Sequence, residues 1–193
     1  MSEPSRCPWC LGSELERAYH DREWGLPQRD PGVLFEFLTL EGAQAGLSWR
    51  TVLQKREGYR RVFLDYQLPT LAALSDAELE QRLSDPAIVR NRLKVWSVRS
   101  NAQAALRLAD QGRELSEWLW ETVADRPQIN CWRGSAEVPA RTALSDQLSK
   151  RLQKAGFKFV GSTICYAFMQ AVGMVNDHLL DCYRHAELLE VEP

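Results

Sequence analysis

The chain has 193 residues with 45% hydrophobic, 26% charged and 9% aromatic side chains and a formal net charge of −2. That is the composition of one globular domain with a full core, and it excludes a disordered tail, a collagen-like fibre and a disulfide-stapled miniprotein. No apolar run reaches the roughly 18 residues of a membrane span, and the first seven residues lack the apolar stretch of a secretory signal. The five cysteines, an odd number, are therefore expected to be reduced in a cytoplasmic protein and to bind metal or pack.

The pattern predicts an all-α fold. Asp30-Pro31 reads as an N-cap followed by Pro at the first helical position, with Leu34, Phe35, Leu38 and Ala45 at helical spacing. Ser75-Asp76-Ala77-Glu78 fits a capping box, and Asp85-Pro86 predicts a further helix start. A long amphipathic helix is expected from about Asn91 to Ala109, stopped by Gly112, then one from Glu114 to Val123 carrying Trp118 and Trp120. Residues 125–140, with Pro127, Gly134 and Pro139, read as the longest irregular connection. Ser145-Asp146 is expected to open a helix ending at Gly156, and Ser162–Val172 to form another ended by Gly173. Lys158–Val160, the best alternating stretch, is too short for a strand, and Glu187–Pro193 reads as a fraying acidic tail.

Charge is unevenly distributed. Residues 50–61, 86–108 and 147–176 hold 14 of the 24 basic side chains and a single acid, Glu57. Such polarity suits a polyanion partner despite the net charge, although helix surfaces also segregate charge without one. Gly156-Phe157-Lys158-Phe159-Val160-Gly161 brackets a tight link between two helices, and Lys150, Arg151, Lys154 and Lys158 surround it. Free N–H groups at the following helix N-terminus can take a phosphate oxygen, so this stretch reads as a hairpin gripping a nucleic-acid backbone without reading its sequence.

Two further clusters carry chemistry. His178-x-x-x-Cys182 has an i, i+4 spacing that puts both ligands on one face of a helix, and Cys7 with Cys10 or His20 lies at the opposite end of the chain. Either a Cys3His or a Cys2His2 set suits one tetrahedral structural zinc clipping the two ends together. His185 is a weaker candidate ligand, and Cys131 and Cys165 have no partner at ligand spacing. Trp9, Tyr19, Trp24 and Trp49 supply stacking faces, and Glu41 and Gln44 sit among small residues that leave room for something flat. A carboxylate, an amide and aromatic walls are what a pocket for a flipped nucleobase needs, above all a cationic one.

Cys7-Pro8-Trp9, Ala18-Tyr19-His20-Asp21-x-Glu23-Trp24-Gly25, Leu40-Glu41-Gly42-x-Gln44-Ala45-Gly46-Leu47-Ser48-Trp49, the 156–161 hairpin and Val175-Asn176-Asp177-His178 together resemble the DNA-3-methyladenine glycosylase I family. The blocks are collinear from about residue 6 to residue 183. The resemblance implies a single domain over 1–193 with the all-α helix-hairpin-helix DNA glycosylase fold. The hairpin motif is placed at about 145–173 and zinc-binding segments at 7–20 and 178–182.

It implies one structural zinc on Cys7, His20, His178 and Cys182, which leaves Cys10 as an extra thiol. It implies Glu41 as the catalytic carboxylate, Tyr19, Trp49, Trp9, Trp24 and Gln44 around the base, and Gly156, Lys158, Gly161, Lys150 and Lys154 on DNA. Arg90, Arg92 and Lys94 are secondary DNA candidates. The implied activity is monofunctional excision of 3-methyladenine from alkylated double-stranded DNA, leaving an abasic site and free 3-methyladenine. The implied enzyme is a monomer of the bacterial cytosol with no membrane partner.

Many relatives in the wider superfamily place an Asp where this chain has Asn176. The charge that N3-methylation puts on adenine lessens what the protein must supply. A zinc-stabilised helical DNA-binding module without catalysis is the alternative, and it leaves the Glu41 pocket unexplained.

Overall fold

The most apolar helix-forming segment of the chain becomes the axis of the molecule. Asp30 accepts a hydrogen bond from the Val33 amide, Pro31 takes the first helical position, and helix α2 runs Pro31–Gln44. Every residue from Leu34 to Ala43 is buried, so α2 is covered on all sides. It packs against α3 (Trp49–Val62), α6 (Arg92–Asp110), α7 (Leu115–Trp120) and α9 (Ser162–Ala171). That central position takes two carboxyl groups, Glu36 and Glu41, out of water with it.

This is a computed structural model, and it describes residues 3–190. The remaining helices are α1 (Glu14–Arg22), α4 (Leu68–Ala72), α5 (Asp76–Leu83), α8 (Ala143–Ala155) and α10 (Tyr183–Glu187). The capping box expected at Ser75 and Glu78 forms at the start of α5. Among the described residues no helix is long and apolar enough to cross a membrane.

Several boundaries depart from the sequence expectations for local reasons. No helix starts at Asp85-Pro86, because the Asp85 carboxylate accepts from the Ala87 amide and closes a turn; α6 begins seven residues later behind Asn91. Helix α8 starts at Ala143, not at Ser145. Thr142 is its cap, and Ser145 is the partner three residues on that donates back to it. Part of the expected fraying tail is ordered, since Glu187 ends α10 and Leu188 is buried; residues 191–193 of that expectation lie outside the described residues.

The connection 125–140 is not wholly irregular. Gln128–Ile129 (β1) pairs in parallel with Val175–Asn176 (β2), Gln128 opposite Val175 and Ile129 opposite Asn176, and Ser135–Glu137 forms a 3-10 turn. A two-residue strand carries no alternation for sequence to reveal.

Gly173 has φ +71° and lies against the backbone of Leu26 and Pro27, 2.4 Å from where a Cβ would stand. Neither neighbour is a side chain that can swing away. Gly173→Ala is therefore expected to cost about 2 kcal/mol or more through strain and overpacking, read as a lowered unfolding midpoint at unchanged m-value.

Candidate active site and metal centre

Helix α1 places consecutive residues on two sides of one wall. Tyr19 points into a cavity of about 470 Å³, while His20 points away from it into a cluster with Cys7, His178 and Cys182. The four ligand atoms of that cluster lie within 4.8 Å of one another, and all four residues are buried. His178 Nδ1 stands 3.2 Å from His20 Nε2 and 3.5 Å from Cys182 Sγ, and Cys182 Sγ stands 3.4 Å from His20 Nε2. Ligands at zinc-like bond lengths on a tetrahedron are separated by about 3.3–3.8 Å.

The spare ring nitrogens support the same reading. His20 Nδ1 donates to Asp21, held in turn by Arg6, and His178 Nε2 donates to the Trp24 carbonyl. Both acceptors force the proton onto the outer nitrogen and leave the inner lone pair free for a metal. The neighbouring Cys182 and burial push the Cys7 thiol up, while Cys7, His178 and His20 draw Cys182 down. The cluster is thus compatible with a metal ion.

Cys182 and His178 do not share a helix face, contrary to the i, i+4 expectation. His178 follows β2, a turn closed by the Cys182 amide on the Leu179 carbonyl brings Cys182 round, and Cys182 then caps α10. Cys10 stays outside the cluster, its thiol donating to the Cys7 carbonyl. His185 is also outside it, donating to the Asn130 carbonyl; Cys131 is exposed and Cys165 buried.

The cavity gathers Trp9, Tyr19, Trp24, Glu41, Gln44 and Trp49. Trp9 and Trp24 form an edge-to-face pair and both touch the imidazoles of the cluster, so the metal centre backs the aromatic wall. Tyr19 and Trp49 pack 5.4 Å apart. Two of the wall's polar atoms, Tyr19 Oη and Trp49 Nε1, are buried without a hydrogen-bond partner, an arrangement that native interiors avoid unless something else completes it.

Glu41 is 5% exposed, and burial alone pushes its carboxyl up to about 8. Burial and the Glu41 carboxyl together raise the Tyr19 phenol. Burial therefore favours the protonated form of Glu41, whereas the sequence reading took it as a carboxylate.

The far wall was not legible in the sequence. It consists of Ser135, Val138, Pro139 and Ala140 from the 125–140 connection, and of Tyr166, Gln170 and Asp177. Asn176 does not line the cavity: its side chain donates to the His185 carbonyl and accepts from the His178 amide. The carboxylate that does face the cavity is Asp177, one residue on.

The hairpin between α8 and α9 is held rigidly. Gly156 ends α8 at φ +99°, Asn101 bonds both the amide and the carbonyl of Lys158, and Ser149 donates to the Val160 carbonyl. Gly161 caps α9 at an ordinary φ of −64° with open space around it, so of the two glycines Gly156 alone takes a left-handed backbone, which Phe159 also adopts at φ +55°.

The basic segments are less free than their composition implied. Arg50 pairs with Glu16, Arg56 and Arg60 with buried Glu36, Arg61 with Asp85, Arg92 with Glu80, Arg99 with Asp76 and Arg151 with Glu121. Lys94 donates to the carbonyls of Ala43 and Ala45 at the end of α2. Lys150, Lys154 and Lys158 are exposed and form no ion pair among the described residues, and the same holds for Arg90.

A mostly helical body with an aromatic cavity, a buried carboxyl and a metal-compatible cluster drawn from both ends of the chain defines a narrow class. The chain belongs to the methyladenine glycosylase family, whose profile matches residues 9–185. It is 46% identical over 177 residues to DNA-3-methyladenine glycosylase 1 of Escherichia coli (strain K12), covering 92% of this chain and 95% of that one. To the DNA-3-methyladenine glycosylase of Haemophilus influenzae it is 42% identical over 178 residues, covering 92% and 96%.

Among solved structures, a 3-methyladenine DNA glycosylase I superposes with a TM-score of 0.91 at 45% identity, covering 93% of this chain and 98% of that one. The Staphylococcus aureus enzyme, solved to explain 3-methyladenine recognition, superposes with a TM-score of 0.89 at 31% identity, covering 92% and 95%.

Proposed function

We propose that this protein is a monofunctional DNA glycosylase that hydrolyses the N-glycosidic bond of 3-methyladenine in alkylated duplex DNA, the opening step of base excision repair. The observation that carries the reading is the cavity itself. A buried carboxyl and two unpartnered donors line one aromatic chamber with room for a purine.

N3-methylation leaves the purine ring cationic. Water adds to C1′ and loses a proton, the C1′–N9 bond breaks, and its electron pair neutralises the departing base. The chain's part is to accept the extruded base, stack it against the aromatic face formed by Tyr19 and Trp49, and pair its edge with Glu41, with Trp9, Trp24 and Gln44 closing the chamber. The ring charge favours ionised Glu41, so base entry draws the carboxyl proton off. Among the described residues no lysine lines the cavity, which supports simple hydrolysis over a Schiff-base route with strand cutting. Treating methylated duplex DNA with the protein should yield free 3-methyladenine and intact strands bearing abasic sites. DNA retention with no base released would instead support a non-catalytic binding module.

The metal is one structural zinc ion on Cys7, His20, His178 and Cys182. Two thiolates and two imidazoles suit zinc, and four protein ligands leave no open position for activating water. Its contribution is to hold the chain ends behind the aromatic wall. The whole chain acts as one domain and as a monomer in the cytosol, without a membrane partner.

DNA is held through its backbone by a helix-hairpin-helix element, Gly156, Lys158 and Gly161 with Lys150 and Lys154. Lys154→Glu/Lys158→Glu is expected to weaken duplex binding regardless of sequence and to reduce the salt slope of log K by about 2, while affinity for free 3-methyladenine is unchanged. Fluorescence anisotropy across a salt series checks this, and an unaltered slope contradicts the assignment.

A further inference from the structure

Asp177 is 2% exposed, yet among the described residues it forms no ion pair. Four neutral donors converge on it instead. Its Oδ1 accepts from Asn130 Nδ2 at 2.6 Å and Trp132 Nε1 at 2.8 Å; its Oδ2 accepts from Tyr166 Oη at 2.6 Å and Gln170 Nε2 at 2.8 Å. Two of these donors belong to the connection that forms the far cavity wall and two to α9. Asp177, Tyr166 and Gln170 all line the cavity themselves.

The extended backbone after β2 explains how one short segment serves two sites. Successive side chains of an extended chain leave on opposite sides, so Asp177 enters this hub while His178 turns to the metal cluster. The wall residues Ser135, Ala136 and Glu137 are exposed, and the Arg133 amide bonds only locally, to Glu137. At the wall's base, the Asn130 and Trp132 side chains tie it to α9 through a shared acceptor. An amide in place of Asp177 could not accept from all four donors, which gives the carboxylate a purpose that core filling does not.

We infer that Asp177 is a positioning residue for excision: it locks the 130–140 wall to α9 and so sets the cavity width opposite Glu41. The inference rests on the glycosylase reading above. A wall released by even an ångström lets the base sit out of line, which reduces the rate of the chemical step more than it reduces DNA binding.

The test compares Tyr166→Phe, Asp177→Asn and Asp177→Ala with the wild type, each checked for metal content and melting temperature. Tyr166→Phe lies away from the metal ligands and guards against a folding failure of the Asp177 variants. Saturating single-turnover excision on methylated duplex is expected to fall about tenfold or more in Tyr166→Phe and Asp177→Asn, and further in Asp177→Ala. Affinity for unmethylated duplex should remain within about twofold in the same proteins.

Folded, metal-loaded Tyr166→Phe and Asp177→Asn that excise at the wild-type rate overturn the inference. So does a loss that only tracks the unfolded fraction. A wild-type protein that releases no base overturns the glycosylase reading, and this inference with it.

Discussion

Glu41→Gln is expected to lower single-turnover excision about 100-fold or more while leaving the fold, the metal and nonspecific DNA affinity nearly intact. Glutamine keeps the size of the side chain and one acceptor. It cannot become an anion when the cationic base arrives, and hydrogen bonds to charged partners contribute about 1.5–3 kcal/mol each against roughly 1 for neutral ones. Stacking of a cationic ring on Tyr19 and Trp49 adds about 0.5–2 kcal/mol that neutral adenine does not receive. Adenine also retains its pairing and leaves poorly, so it is refused at extrusion and again at bond cleavage. If Glu41 only bridged helices, the variant would excise normally and Trp49→Ala would cause general instability.

Burial of Glu41 gives the same variant a second signature. The carboxyl rises from 4.5 to about 8 on folding, so the folded protein keeps a proton that the unfolded chain loses. Its contribution to stability is complete below about pH 4.5 and is lost as pH rises through about 8. A cationic base requires the ionised form, so its binding releases that proton. Between about pH 6 and 8 affinity for duplex carrying the cationic 3-methyladenine nucleotide should climb with pH, by up to about tenfold per unit. Glu41→Gln should flatten both profiles. Urea titrations and binding measured at several pH values in matched salt check the two slopes, and wild-type slopes that match those of the variant contradict the buried-proton account.

Loss of the metal is the second large effect. The four ligands join residues near both ends of the chain, and a cross-link over so long a loop removes more chain entropy than a short one. Cys7→Ala, or prolonged chelation, is expected to cost several kcal/mol and to lower the melting temperature by about 10 °C or more. Excision per folded molecule should fall less than in Glu41→Gln, because three of the four ligands, His20, His178 and Cys182, lie outside the cavity lining, and only Cys7 reaches it. Metal analysis alongside calorimetry settles both points. Metal-free protein with unchanged stability contradicts a structural ion.

The parts legible in the sequence were those with local signatures. Asp30-Pro31 and the Ser75 capping box announce helix starts through side chains a few residues apart, and Gly156 marks a helix end through its left-handed backbone. Tyr19, Glu41 and Trp49 were visible as an aromatic and acidic cluster within fifty residues of sequence, and they meet in one cavity.

The far wall was hidden because its logic is tertiary. Nothing near Asp177 in the chain announces Asn130, Trp132, Tyr166 and Gln170 as its partners. The arginines misled for the same reason: Glu36 sits in an apolar run, yet it accepts from both Arg56 and Arg60 and withdraws them from any polyanion. The i, i+4 spacing of His178 and Cys182 pointed to two members of the cluster through the wrong element, since a turn brings both side chains to it.

The central claim is that this cavity is the base site, and a structure of the protein soaked with free 3-methyladenine tests it most directly. The base should lie against Tyr19 and Trp49, with Glu41 on its edge and with Tyr19 Oη or Trp49 Nε1 gaining a partner. A base bound elsewhere, or a cavity left empty at saturating ligand, would contradict the account.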